Sequence, residues 1–268
     1  MAPRAICQDK DIFTPWMHPQ HQRLPGLAPI PVEDWLIQDD AYDAQMAYRD
    51  ALIASQSDKV HICRSEAMPA AKELLSLLTE ELPRYAQGYQ YAANQVTRAD
   101  GTRIKTKQAP PLLICGQLAQ EDFAILQKSG DQHIFTGGVI CFPAHWSLAE
   151  KIGRTPHGLH APVDTYDQRI NDSMERIFNN LRPDAPLARA NFLIYTDPEL
   201  HQPMSEALAI QRAPGAPRYV RAERQTLRRL PQTGAIIFSI HTYLYPASAL
   251  TADAHAALAK LRPELIPH

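Results

Sequence analysis

The chain is poor in the features that would fix it to a membrane, a polyanion or a disulfide scaffold. Its 268 residues contain no apolar run of about 18, the length that a membrane-spanning helix needs. Charge is nearly balanced: 27 Lys and Arg against 29 Asp and Glu leave a net −2, so bulk charge implies no polyanionic partner. Only four cysteines occur, Cys7, Cys63, Cys115 and Cys141, and no two form a CxxC pair. A disulfide framework and a cysteine-only zinc site are both disfavoured, and the reducing cytosol is the expected compartment. The opening stretch MAPRAICQDKDIF lacks the apolar segment of a signal peptide, so a soluble cytoplasmic protein is expected. Glycine is scarce, at 11, while proline reaches 23. Proline breaks helices and cannot donate to a strand ladder, which predicts many irregular connections.

Apolar residues make up 45% of the chain, enough for a substantial core. Residues 1–35 combine prolines with Trp, Phe and Leu and read as an ordered arm lying along the surface. Helical spacing is present over 40–57, and more clearly over 69–82, with Pro69 in the first turn and Pro83 as the stop. PLLICGQL can be a strand or the start of a helix, QEDFAILQ (120–127) reads as a helical turn or two, and IFTGGVICFP (134–143) as a strand broken at Gly137 and Gly138. A short helix then ends at Gly153, another spans 166–182, and NFLIYTD (191–197) reads as a strand. YVRAERQTLRRL, PQTG and AIIFSIHTYLY form a hairpin pattern, and a helix over 252–263 follows. Helices first, then mixed elements, then a hairpin give an α+β fold with an antiparallel sheet. The chain is read as a single domain, 1–268, whose residues 1–90 are mainly helical.

The hairpin carries charge where a core is expected. With Leu230 opposite Ala235, Phe238 faces Leu227, Ile240 faces Gln225 and Thr242 faces Glu223. Side chains alternate by two, so Glu223 and Gln225 share a face with Ile236, Phe238, Ile240 and Leu244. Arg224, Thr226 and Arg228 lie on the other face with His241, Ser239 and Ile237. A buried carboxylate needs a partner or shifts its pKa. Either the register slips or Glu223 pairs with Arg221 at a sheet edge, or the hairpin lines a ligand pocket.

Of the 11 histidines, His157 and His160 stand out, because Pro156 and Pro162 stiffen the segment RTPHGLHAPVDTY around them. His61 and His133 flank strands and read as structural, and His145 as a residue that caps or packs near a helix start. As HxxHxxxD, His157, His160 and Asp164 can form a two-histidine, one-carboxylate iron site; as one axial histidine, the segment can hold a haem. Spacing alone leaves both open.

Taken in order, ELLSLLTEELPRY (73–85), GQLAQEDFAILQ (116–127), FTGGVICFPAHWSLAEKIG (135–153), LHAPVDTY (159–166), RANF (189–192) and VRAERQTLRRLPQTGAIIFSIHTY (220–243) resemble the haem-dependent oxidative N-demethylases, the family of the haem subunit of dimethylamine monooxygenase. The resemblance implies a PAS-like antiparallel sheet flanked by helices, placed here over 110–250, and haem b as cofactor. It implies oxygen-dependent N-demethylation of a small secondary amine with release of formaldehyde. Electrons come, on this reading, from NADPH through a partner reductase carrying FMN and a 2Fe-2S cluster. It places the axial iron ligand at His160, with His157 as a neighbour. Arg221, Glu223, Arg224 and Gln225 match the family's R-x-E-R-Q run: Glu223 becomes the catalytic and amine-binding carboxylate, with Gln225 beside it. Arg224, Arg189 and His241 become haem contacts. Two positions depart from the family pattern: Asp164 replaces proline and His241 replaces arginine. The rivals are a haem-binding sensor without turnover, the non-haem iron oxygenase, and a haem-less structural or binding protein on the same scaffold.

Overall fold

The computed structural model describes residues 5–19, 26–155, 168–204 and 218–262. Its centre is a seven-stranded sheet in the order β1-β8-β9-β10-β6-β7-β2, in which every neighbouring pair is antiparallel. The strands are β1 (Ala28–Pro29), β2 (His61–Cys63), β6 (Asp122–Ser129), β7 (Gln132–Val139), β8 (Leu187–Tyr195), β9 (Tyr219–Arg229) and β10 (Ile236–Pro246). A small sheet holds β3 (Gln90–Ala92), β4 (Gln95–Thr97) and β5 (Arg103–Lys105). The helices are α1 (Tyr42–Val60), α2 (Met68–Tyr85), α3 (Pro111–Leu118), α4 (Leu148–Lys151), α5 (Gln168–Asn180) and α6 (Ala252–Leu261). The α+β architecture, an antiparallel sheet flanked by helices, is therefore the one expected.

The two faces of the sheet are covered differently. One face packs Phe123, Ile125 and Ile237 against apolar residues of α1, α2 and α3, including Met46, Leu74, Leu78 and Leu112. Farther along the same face, Val220, Ala222, Tyr243 and Tyr245 pack against Trp16 of the arm and Leu258 of α6. Trp16 also donates its indole N–H to the Ala254 carbonyl at 2.9 Å. A Trp and several apolar groups buried in this way explain why the described part of the arm is ordered. The opposite face packs Ala124, Leu126, Leu227 and Ile236 against Leu148 of α4 and Phe178 of α5. It is only half-buried toward Arg189, Asn191, Glu223, Gln225 and Ile240.

Several elements differ from their sequence reading. Residues 122–129 are a strand, where the reading of 120–127 was helical. Phe123 and Ile125 face one layer and Ala124 and Leu126 the other, and both layers are covered. A strand buried on both sides loses the polar alternation that identifies it in sequence. Gly137 and Gly138 do not break β7. A Cβ at Gly138 would stand 2.8 Å from the Phe135 ring, and one at Gly137 would stand 3.1 Å from the Ala67 Cβ. These glycines let neighbouring layers approach closely. The irregularity lies instead at the register shift between Ile125 and Leu126. PLLICGQL is α3, entered through Pro110 and Pro111. Pro83 does not stop α2 but sits in its last turn, where one missing N–H is tolerated; the Ala86 N–H closes on the Leu82 carbonyl at 2.9 Å.

The short helix after β7 matches its reading. Ser147 and Glu150 form a capping box, and Gly153 ends the segment at φ +83. The hairpin register is also as read: Phe238 opposes Leu227, Ile240 opposes Gln225 and Thr242 opposes Glu223. The turn closes with the Leu230 N–H on the Ala235 carbonyl at 2.8 Å.

Candidate functional site

The half-buried sheet face gathers a compact set of polar groups. Asn191 of β8 opposes Glu223 of β9, and Arg189 opposes Gln225. Across the hairpin, Gln225 opposes Ile240 and Leu227 opposes Phe238. Arg189, Glu223 and Gln225 therefore project to the same side as the apolar row of Leu187, Phe238 and Ile240. Glu223 is held from both neighbours on its own strand face. Arg221 Nε lies 3.3 Å from Glu223 Oε1, and Gln225 Nε2 donates to Glu223 Oε2 at 3.0 Å. The pairing with Arg221 occurs as expected, but on an interior strand and not at a sheet edge, because β9 lies between β8 and β10. Arg221 is buried and also donates to the carbonyls of Leu200 (3.1 Å) and Phe142. It thus ties two loops to the strand that carries Glu223. An arginine with each of its three nitrogens engaged has little freedom left, and neither has the carboxylate it holds.

His145, whose sequence context points to capping or packing, stands close enough to this group to feel the charge of Arg221. Its backbone is left-handed, at φ +61, and its ring stacks on Tyr195 with centroids 5.0 Å apart. Both ring nitrogens are buried, and among the described residues neither has a hydrogen-bond partner. Burial, reinforced by the charge of Arg221, lowers its pKa, so the imidazole is neutral at neutral pH. A left-handed backbone at a non-glycine residue with a bulky side chain is the signal that marks it, and sequence does not carry that signal.

The alternation of β9 and β10 sends Arg224 and His241 to the other face. Arg224 donates to the backbone carbonyls of Trp35 (3.1 Å) and Asp34 (2.5 Å). His241 lies between two buried carboxylates: Nε2 is 3.0 Å from Asp39 Oδ2 and Nδ1 is 3.1 Å from Glu121 Oε1. Burial opposes its charge, but the hydrogen bonds and charges of Asp39 and Glu121 outweigh burial and raise its pKa to about 9. The same bonds, with those from Gln120 and Gln8, overcome burial and lower the Asp39 pKa. His241 is therefore protonated at neutral pH. Neither Asp39 nor Glu121 carries a sequence signal, since the partners lie 202 and 120 positions from His241.

His157, His160 and Asp164 lie outside the described residues. Among the described residues, no group of three or more His, Cys, Asp or Glu side chains is placed to hold a metal ion. A porphyrin asks for something different: an apolar wall, a cation for its carboxylates and one axial ligand. Leu187, Phe238 and Ile240, with Arg189 beside them, match the first two requirements. Among the described residues, no helix is long and apolar enough to cross a membrane. The family model described as haem-dependent oxidative N-demethylase, alpha subunit-like, matches residues 26–265, nearly the whole chain, and the protein belongs to that family.

Proposed function

We propose that this chain is the haem-bearing subunit of a monooxygenase that N-demethylates a small secondary amine of the dimethylamine class. The supporting observation is the carboxylate of Glu223, held at 3.3 and 3.0 Å between Arg221 and Gln225 on a half-buried sheet face beside the apolar row of Leu187, Phe238 and Ile240. On this reading residues 1–268 form one haem-binding unit with a PAS-like core over 110–250. It works in the cytoplasm.

His160 would hold haem b, which when bound would supply dioxygen activation and the oxidation of one N-methyl carbon. The protein's own side chains supply the binding. Glu223 accepts the N–H of the substrate ammonium through a charge-assisted hydrogen bond. Arg221 and Gln225 hold the carboxylate plane, so the nitrogen is presented in one orientation. The apolar row accepts the methyl groups and excludes water from them. Arg189 would hold a haem carboxylate. Arg224 and His241, expected as haem contacts, stand on the opposite face and support the sheet from behind.

The overall balance is one amine and one dioxygen with two electrons and two protons, giving the demethylated amine, formaldehyde and water. The electrons come from NADPH through a separate reductase carrying FMN and a 2Fe-2S cluster. The deciding experiment is a visible spectrum of the purified protein followed by amine-dependent oxygen consumption with a reductase. A Soret band and oxygen uptake with formaldehyde release are expected. A Soret band without turnover would favour a sensor, and a colourless iron protein would favour the His157, His160 and Asp164 site.

A further inference from the structure

We propose that Tyr48 and Glu199 are positioning residues for amine binding: they fix a loop that Arg221 grips, and through Arg221 the carboxylate of Glu223. The inference rests on the role given to Glu223 above. Besides Glu223, Arg221 is held at two carbonyls, those of Leu200 (3.1 Å from Nη1) and Phe142. Both lie outside every helix and strand, so no ladder keeps them in place. The orientation of Glu223 therefore depends on what holds those two loops.

Adjacent residues of α1 hold one loop each. Tyr48 donates its hydroxyl to Glu199 Oε1 at 2.5 Å, and the same oxygen accepts the His201 N–H at 3.0 Å. The two bonds close the loop around Leu200 and tie it to α1. Arg49 binds Asp122 at 2.7 Å, and Asp122 Oδ2 accepts the Phe142 N–H at 2.9 Å. Direct contacts join the two loops as well. His201 Nδ1 lies 2.8 Å from the Cys141 carbonyl oxygen, and the Gln202 N–H donates to the Pro143 carbonyl at 3.1 Å. The Tyr48 and Phe142 rings meet with centroids 5.6 Å apart.

The two arms differ in burial. Arg49 and Asp122 are buried, so they belong to the fold itself. Glu199 is exposed and Tyr48 half-buried, so losing their bond costs little stability. What it releases is the loop. Freed from α1, the Leu200 carbonyl shifts, the guanidinium follows it, and the carboxylate no longer meets a substrate N–H in line. A misplacement of about 1 Å is enough to weaken such a contact. Burial, with the Glu199 carboxylate beside it, raises the Tyr48 pKa, so the phenol remains a donor at neutral pH.

One set of titrations tests the chain and separates it from the reading of Glu223. Dimethylammonium chloride is titrated calorimetrically into the full-length haem-loaded protein, as wild type, Tyr48→Phe, Glu199→Gln, Glu199→Ala, Glu223→Gln and the Tyr48→Phe/Glu223→Gln double variant. Tyr48→Phe should bind about three- to tenfold more weakly, the worth of one hydrogen bond, with haem content unchanged. Glu199→Ala should be at least as weak. Glu199→Gln should bind more tightly than Glu199→Ala, because its amide oxygen still accepts from Tyr48 and His201; a mere loss of negative charge would weaken both alike. In the Glu223→Gln background Tyr48→Phe should cost nothing more, since the chain ends on Glu223. Wild-type affinity in Tyr48→Phe, Glu199→Gln as weak as Glu199→Ala, or an undiminished Tyr48→Phe loss beside Glu223→Gln would overturn the proposal and leave Glu223 as the amine carboxylate. If Glu223→Gln itself changes nothing, the reading of Glu223 fails and the proposal with it. Tyr48→Phe removes one oxygen from a half-buried ring, so its comparison decides the matter even where Glu199→Ala does not fold.

Discussion

His241 and Asp39, 202 positions apart, meet in the core with Nε2 3.0 Å from Oδ2, and Glu121 completes the cluster from the other side of the ring. The cluster joins the arm side of the molecule, the start of β6 and the middle of β10. Its titration should be visible in folding. The His241 pKa is raised to about 9 from an ordinary value of 6.5. Its contribution to stability is fully present below about 6.5 and is lost as pH rises through about 9. The urea midpoint should therefore fall across that window, and His241→Gln should flatten the slope. A midpoint equally steep in the variant would remove His241 as the source.

Arg49 and Asp122 form a second buried contact, at 2.7 Å. Asp122 also accepts the N–H groups of Cys141 (2.7 Å) and Phe142 (2.9 Å), so it fastens the end of β7 to the start of β6. Asp122→Ala leaves the Arg49 cation buried without its partner and two backbone donors unmet. A loss on the order of 3–5 kcal/mol is expected from denaturant unfolding.

Glu223→Gln should weaken dimethylammonium binding by about tenfold or more and lower the oxygen uptake it drives, while haem content stays at the wild-type level. The pyridine haemochrome assay gives the haem content and calorimetry the affinity. Unchanged total amine affinity would take the substrate carboxylate away from position 223.

His160→Ala should lose haem or alter its Soret band. A wild-type spectrum would move the axial ligand, first to His157.

Gly138→Ala tests how tightly the half-buried face is built. The new methyl would stand 2.8 Å from Phe135 and 3.1 Å from Leu148. Overpacking of about 1–3 kcal/mol is expected, read as a lower denaturant midpoint. An unchanged midpoint would show that Phe135 turns aside freely.

What the chain determines locally was open to reading. The amphipathic spacing of 69–82 makes α2, Ser147 and Glu150 cap α4, and Gly153 ends that segment. PQTG sets the hairpin register, and the register alone puts Glu223 and Gln225 on one face and Arg224 and His241 on the other. These features depend on residues within a few positions of one another. The tertiary structure decided the rest. Residues 122–129 became a strand because β7 and β10 pair with both their edges while helices cover both their faces, and no spacing in QEDFAILQ reports that cover. Asp39 and Glu121 close on His241, and His145 stacks on Tyr195, through contacts whose partners sit far away in the chain. Local preference is a small energy, and burial and pairing against distant neighbours are larger, so where the two disagree the distant neighbours prevail.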